Sequence, residues 1–129
     1  MKKDMIILTG SKGFIGKKFL EKLTGKNVIE VEKKDAPDFC KNFTEWNKVK
    51  LIIHQGAISS TTCTDIELLI NTNVAFTEWL FKQAIKHKIP VKYASSASVY
   101  GHLSKENLIN PLNYYAITKV ITDYWVQDN

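Results

Sequence analysis

Tyr115 and Lys119 stand four residues apart in Tyr115-Ala116-Ile117-Thr118-Lys119, the only Tyr-x-x-x-Lys pair in the chain. On a helix that spacing sets both side chains on one face. A tyrosine hydroxyl has a reference pKa of about 10, so it serves as a base near neutrality only when its anion is stabilised. Lowering that pKa by ~3 units takes ~4 kcal/mol of differential interaction. A neighbouring ammonium and a cationic ring in a closed site supply it. Ser96 follows the apolar run Val91 to Ala94. It stands at the carboxyl end of a strand, where open parallel sheets bind ligands, and can hold a reacting hydroxyl or carbonyl oxygen.

A second group lies at the start of the chain. Gly10-Ser11-Lys12-Gly13-Phe14-Ile15-Gly16 follows an apolar run and opens a helical pattern. Its GxxGxxG spacing is a relative of the dinucleotide fingerprint. One glycine makes the tight turn, one lets backbone approach a pyrophosphate, and one lets the helix pack on the strand. The N–H groups and positive end of the helix then face the anion. Glu32, about 20 residues on at the end of a second strand, is placed to accept from ribose hydroxyls. Lys12, Lys33 and Lys34 would instead attract a 2′-phosphate, so the residues leave NAD and NADP both open.

These groups need elements to carry them. Met5 to Leu8, Val28 to Val31, Val49 to Ile53 and Val91 to Ala94 read as strands. Phe14, Ile15, Phe19, Leu20 and Leu23 recur at helical spacing, with Gly25 closing that helix. The stretch from Lys33 to Lys48 reads as irregular, with a very short strand near Phe39-Cys40 and a helical turn around Thr44 to Trp46. His54 to Thr64 and Ser95 to Leu108 read as loops. Asp65 caps a long helix to about Lys88, with a stripe of Ile66, Leu69, Ile70, Val74, Leu80, Phe81 and Ile85. Asn110-Pro111 opens the last helix, which carries Leu112, Ala116, Val120, Ile121 and Trp125. Strands alternating with helices give an α/β fold, a Rossmann-like doubly wound parallel sheet, here truncated.

The bulk numbers set bounds. The chain has 129 residues, 44% hydrophobic and 24% charged, the profile of one soluble globular domain. No apolar run has the roughly 20 residues that cross a bilayer, so no membrane role is expected. The first residues lack a cleavage pattern and read as a strand, which points to the cytoplasm. Cys40 and Cys63 lie outside any metal-ligand spacing, so they read as reduced thiols, with no metal site expected. The net charge of +5 comes wholly from dispersed lysines, with no arginine. That pattern excludes nucleic acid as the expected partner.

Gly10 to Gly16, the run Tyr93-Ala94-Ser95-Ser96-Ala97-Ser98-Val99-Tyr100-Gly101, and Tyr115 to Lys119 together resemble the extended short-chain dehydrogenase/reductase family of nucleotide-sugar epimerases and dehydratases. Within it, His54-Gln55-Gly56-Ala57-Ile58-Ser59-Ser60-Thr61-Thr62 looks most like the ADP-L-glycero-D-manno-heptose 6-epimerases. The resemblance implies that Gly10, Gly13, Phe14, Ile15 and Gly16 bind the pyrophosphate of NAD or NADP. It puts Glu32 and Lys33 at the adenosine ribose, and Gly56, Ala57 and Ser59 beneath the cofactor, with Asn73 also in the cofactor site. Tyr115 becomes the catalytic base, Lys119 its partner and a nicotinamide-ribose ligand, and Ser96 the third catalytic member. The implied substrate is a nucleotide sugar, ADP-heptose favoured, epimerised by transient oxidation. The complete enzyme is expected to be a homo-oligomer.

Against that family the segment between the second and third strands is compressed. Asn42-Phe43 stands where an acidic residue often contacts adenine, and Lys12 where small residues are usual. The chain ends at Asn129 on the Tyr–Lys helix. The region 1–129 therefore reads as an incomplete NAD(P)-binding domain without its sugar-binding part or second base. By itself it is expected to be inactive and to self-associate through the sheet edge beside Val91 to Ala94. The alternatives are a UDP-hexose 4-epimerase or sugar-nucleotide dehydratase, and a non-catalytic dinucleotide-binding fragment or remnant.

Overall fold

The computed structural model describes residues 3–56, 64–96 and 113–129. The chain forms two compact units. The first comprises Met1–Ala57 with Leu80–Ala94, the second Ile58–Trp79 with Ser95–Asn129.

The first unit holds the sheet. Its strands are β1 (Met5–Thr9), β2 (Asn27–Val31), β3 (Val49–His54) and β4 (Val91–Tyr93). They lie in the order β2-β1-β3-β4, and every pairing is parallel. All five residues of β1 are buried, as a central strand covered on both faces requires. Side chains alternate across the sheet. Ile6, Leu8 and Ile53 meet Phe19, Leu20 and Leu23 of helix α1 (Phe14–Lys22) on one face. The opposite face carries Ile7, Ile52 and His54, and His54 meets Phe81 edge to face at 5.7 Å. Helices therefore cover both faces, as the doubly wound reading expects. After β2 the chain crosses back over β1 to reach β3. The carboxyl ends of β1 and β3 thus form a topological switch point, where open α/β sheets open their crevice.

The segment read as irregular is more ordered than expected. Ala36–Asn42 forms a helix, α2, with Pro37 in its first turn, and a 3₁₀ turn follows at Trp46–Lys48. The very short strand near Phe39-Cys40 is not formed. Proline tolerates the first helical turn because that N–H lacks an intrahelical partner anyway. The helix also places Phe39 and Phe43 on one face, stacked at 4.7 Å and edge-on to Trp46. His87 stacks on Trp46 from the other side at 5.6 Å.

The long helix begins as expected, with the Asp65 carboxylate accepting from the Leu68 N–H. It does not run evenly. An α segment, α3 (Ile66–Leu69), passes into a π segment (Ile70–Ala75) and then into α4 (Phe76–His87). The wider π turn shifts the helix phase. Leu69, Val74, Leu80 and Phe81 are buried, while the expected Ile66, Ile70 and Ile85 are exposed. Asn73, Thr77 and Ala84 take the buried positions.

The last helix, α5, spans Tyr114–Asp128. Its cap is Asn113, whose side chain accepts from the Ala116 N–H at 2.8 Å, rather than Asn110. Asn110, Pro111 and Leu112 lie outside the described residues.

Candidate functional site

The glycine turn belongs to the first unit. Gly10 has φ +70°, and a Cβ there would lie 2.7 Å from the Gly56 nitrogen. A Cβ on Gly16 would lie 1.8 Å from the Gly10 carbonyl oxygen. Both positions therefore need glycine for the fold itself. Gly13 differs: the nearest atom to a Cβ is the Gly10 oxygen at 3.4 Å, an ordinary contact. The fold leaves room there, at the N-cap of α1, where no side chain caps the helix. The first amides of α1 are therefore left without a side-chain partner, the arrangement a helix start needs to receive an anion. Phe14 and Ile15 are 83% and 56% exposed, so at the start of α1 they offer backbone and not core side chains. The apolar contact of that helix comes from Phe19, Leu20 and Leu23.

Thr9 fixes the opposite side of the crevice. Its hydroxyl oxygen accepts from the Gln55 N–H at 3.1 Å and the Gly56 N–H at 2.8 Å. Its single proton is then left for His54 Nδ1, 2.6 Å away. Thr9 and His54 thus hold Gly56 beside Gly10. Ala57 and Ser59 lie outside the described residues.

Glu32 lies beside the turn, as its spacing predicts. Its Oε1 accepts from the Ser11 hydroxyl at 2.7 Å and from the Lys12 N–H at 3.1 Å. Glu30 reaches the same hydroxyl, also at 2.7 Å. Ser11 is 1% exposed. Lys12, Lys33 and Lys34 are exposed, and among the described residues none of them pairs with either carboxylate.

The second unit holds the Tyr–Lys helix. Tyr115 and Lys119 share the buried face of α5 with Ala116, Thr118 and Thr122. The apolar positions Ile117 and Ile121 face outward instead. The expected stripe is thus displaced by a face that buries threonine hydroxyls and a lysine, and both threonine hydroxyls are satisfied. Thr118 donates to the Tyr115 carbonyl at 2.6 Å, and Thr122 to that of Thr118 at 3.2 Å. Asn73, carried by the π segment, donates from Nδ2 to Thr118 Oγ1 at 3.2 Å. At least part of Asn73 therefore serves helix packing. Burial strips water from the Lys119 ammonium and holds its pKa below the usual lysine value, while the Asp123 carboxylate pulls it partly back. Asp123 also accepts from the Ser95 hydroxyl at 2.6 Å, which anchors the residue before Ser96.

Sequence reasoning missed Thr9, Ser11, Glu30 and Asp123. Asp123 carried a signal, since it follows Lys119 by one more helical step of four. Thr9 and Ser11 carried none, because their partners lie 19 or more positions away. Among the described residues, no group of three His, Cys, Asp or Glu side chains is placed to hold a metal ion, and no helix is long and apolar enough to cross a membrane.

Known proteins resemble this chain in sequence and fold. A curated ADP-L-glycero-D-manno-heptose-6-epimerase of Fusobacterium nucleatum is 30% identical over 155 residues, covering 94% of this chain and 47% of the relative. The solved ADP-L-glycero-D-manno-heptose-6-epimerase of Helicobacter pylori is 25% identical, with a TM-score of 0.78 over 98% of this chain and 51% of that one. MoeE5, solved in complex with UDP-glucuronic acid and NAD, is 25% identical, with a TM-score of 0.76 over 94% of this chain and 47% of that one. The chain thus spans about half the length of these relatives. The family model for NAD dependent epimerases/dehydratases matches residues 6–128, and this chain belongs to that family.

Proposed function

We propose that this chain is the cofactor-binding part of a nucleotide-sugar epimerase that acts on ADP-heptose and takes NAD or NADP. The observation that carries the reading is Lys119. A lysine only 8% exposed as a residue, one helical turn from a buried Tyr115, costs free energy that a merely solvated helix face would avoid. Placed there, it lowers the cost of a tyrosinate. The likeness to the two heptose epimerases supports the substrate class.

The glycine turn suits a dinucleotide. Gly13 leaves space for a phosphate oxygen against the backbone, and the amides opening α1 supply donors for it. Glu32 offers a carboxylate to ribose hydroxyls. A bound nicotinamide would supply the hydride acceptor and return the hydride. The chain's own residues handle the proton. Tyr115, as the phenolate, takes it from the sugar hydroxyl and gives it back, Lys119 stabilises the phenolate before the transfer and after the return, and Ser96 holds the reacting oxygen. Ala57, Ser59 and Asn73 remain proposed cofactor contacts, as does Lys33.

The test uses the protein that contains this segment, with ADP-heptose and NAD or NADP. Inversion at C6, followed by NMR, is the expected result. No change at C6 together with turnover of UDP-glucose would reject the substrate and favour a UDP-hexose 4-epimerase. Loss of turnover in Tyr115→Phe with retained cofactor binding is expected in either case.

A further inference from the structure

The three residues proposed to handle the proton, Ser96, Tyr115 and Lys119, all belong to the second unit. Tyr115 and Lys119 are held on the buried face of α5 by the helix itself. Ser96 belongs to no helix or strand. It stands three positions past β4, a strand of three residues. The Ala94 N–H still reaches the His54 carbonyl, but at 3.4 Å. A misplacement of about 1 Å in a group that orients a reacting atom costs up to about a hundredfold in rate. Ser96 therefore needs a further anchor, and Asp123 supplies one. Asp123 continues the series Tyr115, Lys119 by one more step of four on α5. Its Oδ2 accepts from the Ser95 hydroxyl at 2.6 Å, a length typical of a charge-assisted O–H bond. Consecutive Cα atoms are only about 3.8 Å apart, so fixing Ser95 leaves Ser96 little freedom. The same carboxylate acts on the Lys119 ammonium and favours its charged form.

We propose that Asp123 is a positioning residue for the proton transfer: through the Ser95 hydroxyl it sets Ser96 against Tyr115 and Lys119. It acts through Ser95 and not on the substrate. One carboxylate thus joins the helix that carries the base to the loop start that carries the oxygen-holding serine. The proposal rests on the functional reading above and gives a role to two residues, Ser95 and Asp123, that the reading leaves without one.

The test uses the protein that contains this segment, with whichever of ADP-heptose and UDP-glucose it turns over. Ser95→Ala removes the link and leaves both charges in place. It is expected to lower kcat about tenfold and to change KM by less than about twofold, the split that a misplaced reacting group produces. Ser95 is exposed, so this substitution spares the fold, which urea unfolding checks. Ser95→Thr keeps a hydroxyl and is expected to recover about half of the lost kcat or more. Asp123→Ala is expected to lower kcat at least as far as Ser95→Ala. Adding Ser95→Ala to it should cost nothing further, because the link is already gone. An unchanged kcat in Ser95→Ala, a raised KM alone, no recovery in Ser95→Thr, or losses that multiply in the double variant overturns the proposal and leaves the functional reading standing. Turnover of neither nucleotide sugar by the unaltered protein overturns the functional reading and the proposal with it.

Discussion

At the glycine turn, one methyl group is too much: a Cβ on Gly16 would sit 1.8 Å from the Gly10 carbonyl oxygen. On α5 the reverse holds, and Thr118, Lys119 and Thr122 crowd polar atoms onto the face the helix buries. The first region gets its geometry from missing side chains, so that backbone meets backbone. The second gets it from side chains that must each find a partner, as Thr118 does with Asn73 and the Tyr115 carbonyl. The difference follows from the tasks proposed for them. A phosphate is gripped by main-chain amides, which need close approach. A proton is moved by side chains, whose charge states depend on burial and neighbours.

Substitutions can break this contrast. The largest effect is expected for Gly16→Ala, which drives a carbon into a backbone oxygen and should destabilise the chain by about 3 kcal/mol or more in urea unfolding. Thr9→Val comes next. It keeps the volume but leaves the Gly56 N–H and His54 without the Thr9 hydroxyl, while the Gln55 N–H keeps the Thr9 carbonyl at 3.3 Å, for about 2 kcal/mol by the same measurement. Gly13→Ala sharpens the comparison, because the fold has room for that methyl. Stability should change by about 1 kcal/mol or less, while NADH binding, read by fluorescence, falls by about tenfold or more where backbone must approach the pyrophosphate. Near-normal binding in that variant would remove Gly13 from the phosphate contact.

The smallest effect concerns Lys119 and appears only with pH. Its pKa is lowered in the folded chain by desolvation. Between that lowered value and the unfolded value near 10.5, the unfolded chain holds a proton that the folded chain has released. Stability should therefore rise with pH across this window. Below it, the buried ammonium weighs against folding. Lys119→Met should remove the rise and stabilise the chain at neutral pH. Asp123→Asn should widen the window, because Asp123 is the group holding the pKa up. Unfolding curves of the three proteins from neutral pH to pH 11 check both signs.

Much of the first region was legible because its signals are local. Met5 to Thr9 runs apolar into Gly10, and Glu32 closes β2 at the spacing the turn demands. Pro37 misled in the direction of irregular chain, since proline marks a first helical turn as readily as a break. On the two long helices the apolar pattern indicated helix but not which face is buried. The π segment carrying Asn73 shifted the phase of one. On α5, paired hydroxyls took the inside from Ile117 and Ile121.

The α/β class, the glycine turn and the placing of Tyr115 and Lys119 on one helix face were all readable from the sequence, because each rests on spacing within an element or on the order of successive elements. Tertiary structure alone decided that Thr9 and His54 lock Gly56 against Gly10, that Gly13 is the glycine the fold can spare, and that Ser11 Oγ lies 2.7 Å from both Glu30 and Glu32. Those facts depend on which strand ends lie side by side, and parallel pairing brings together residues whose separation in the chain carries no local signal.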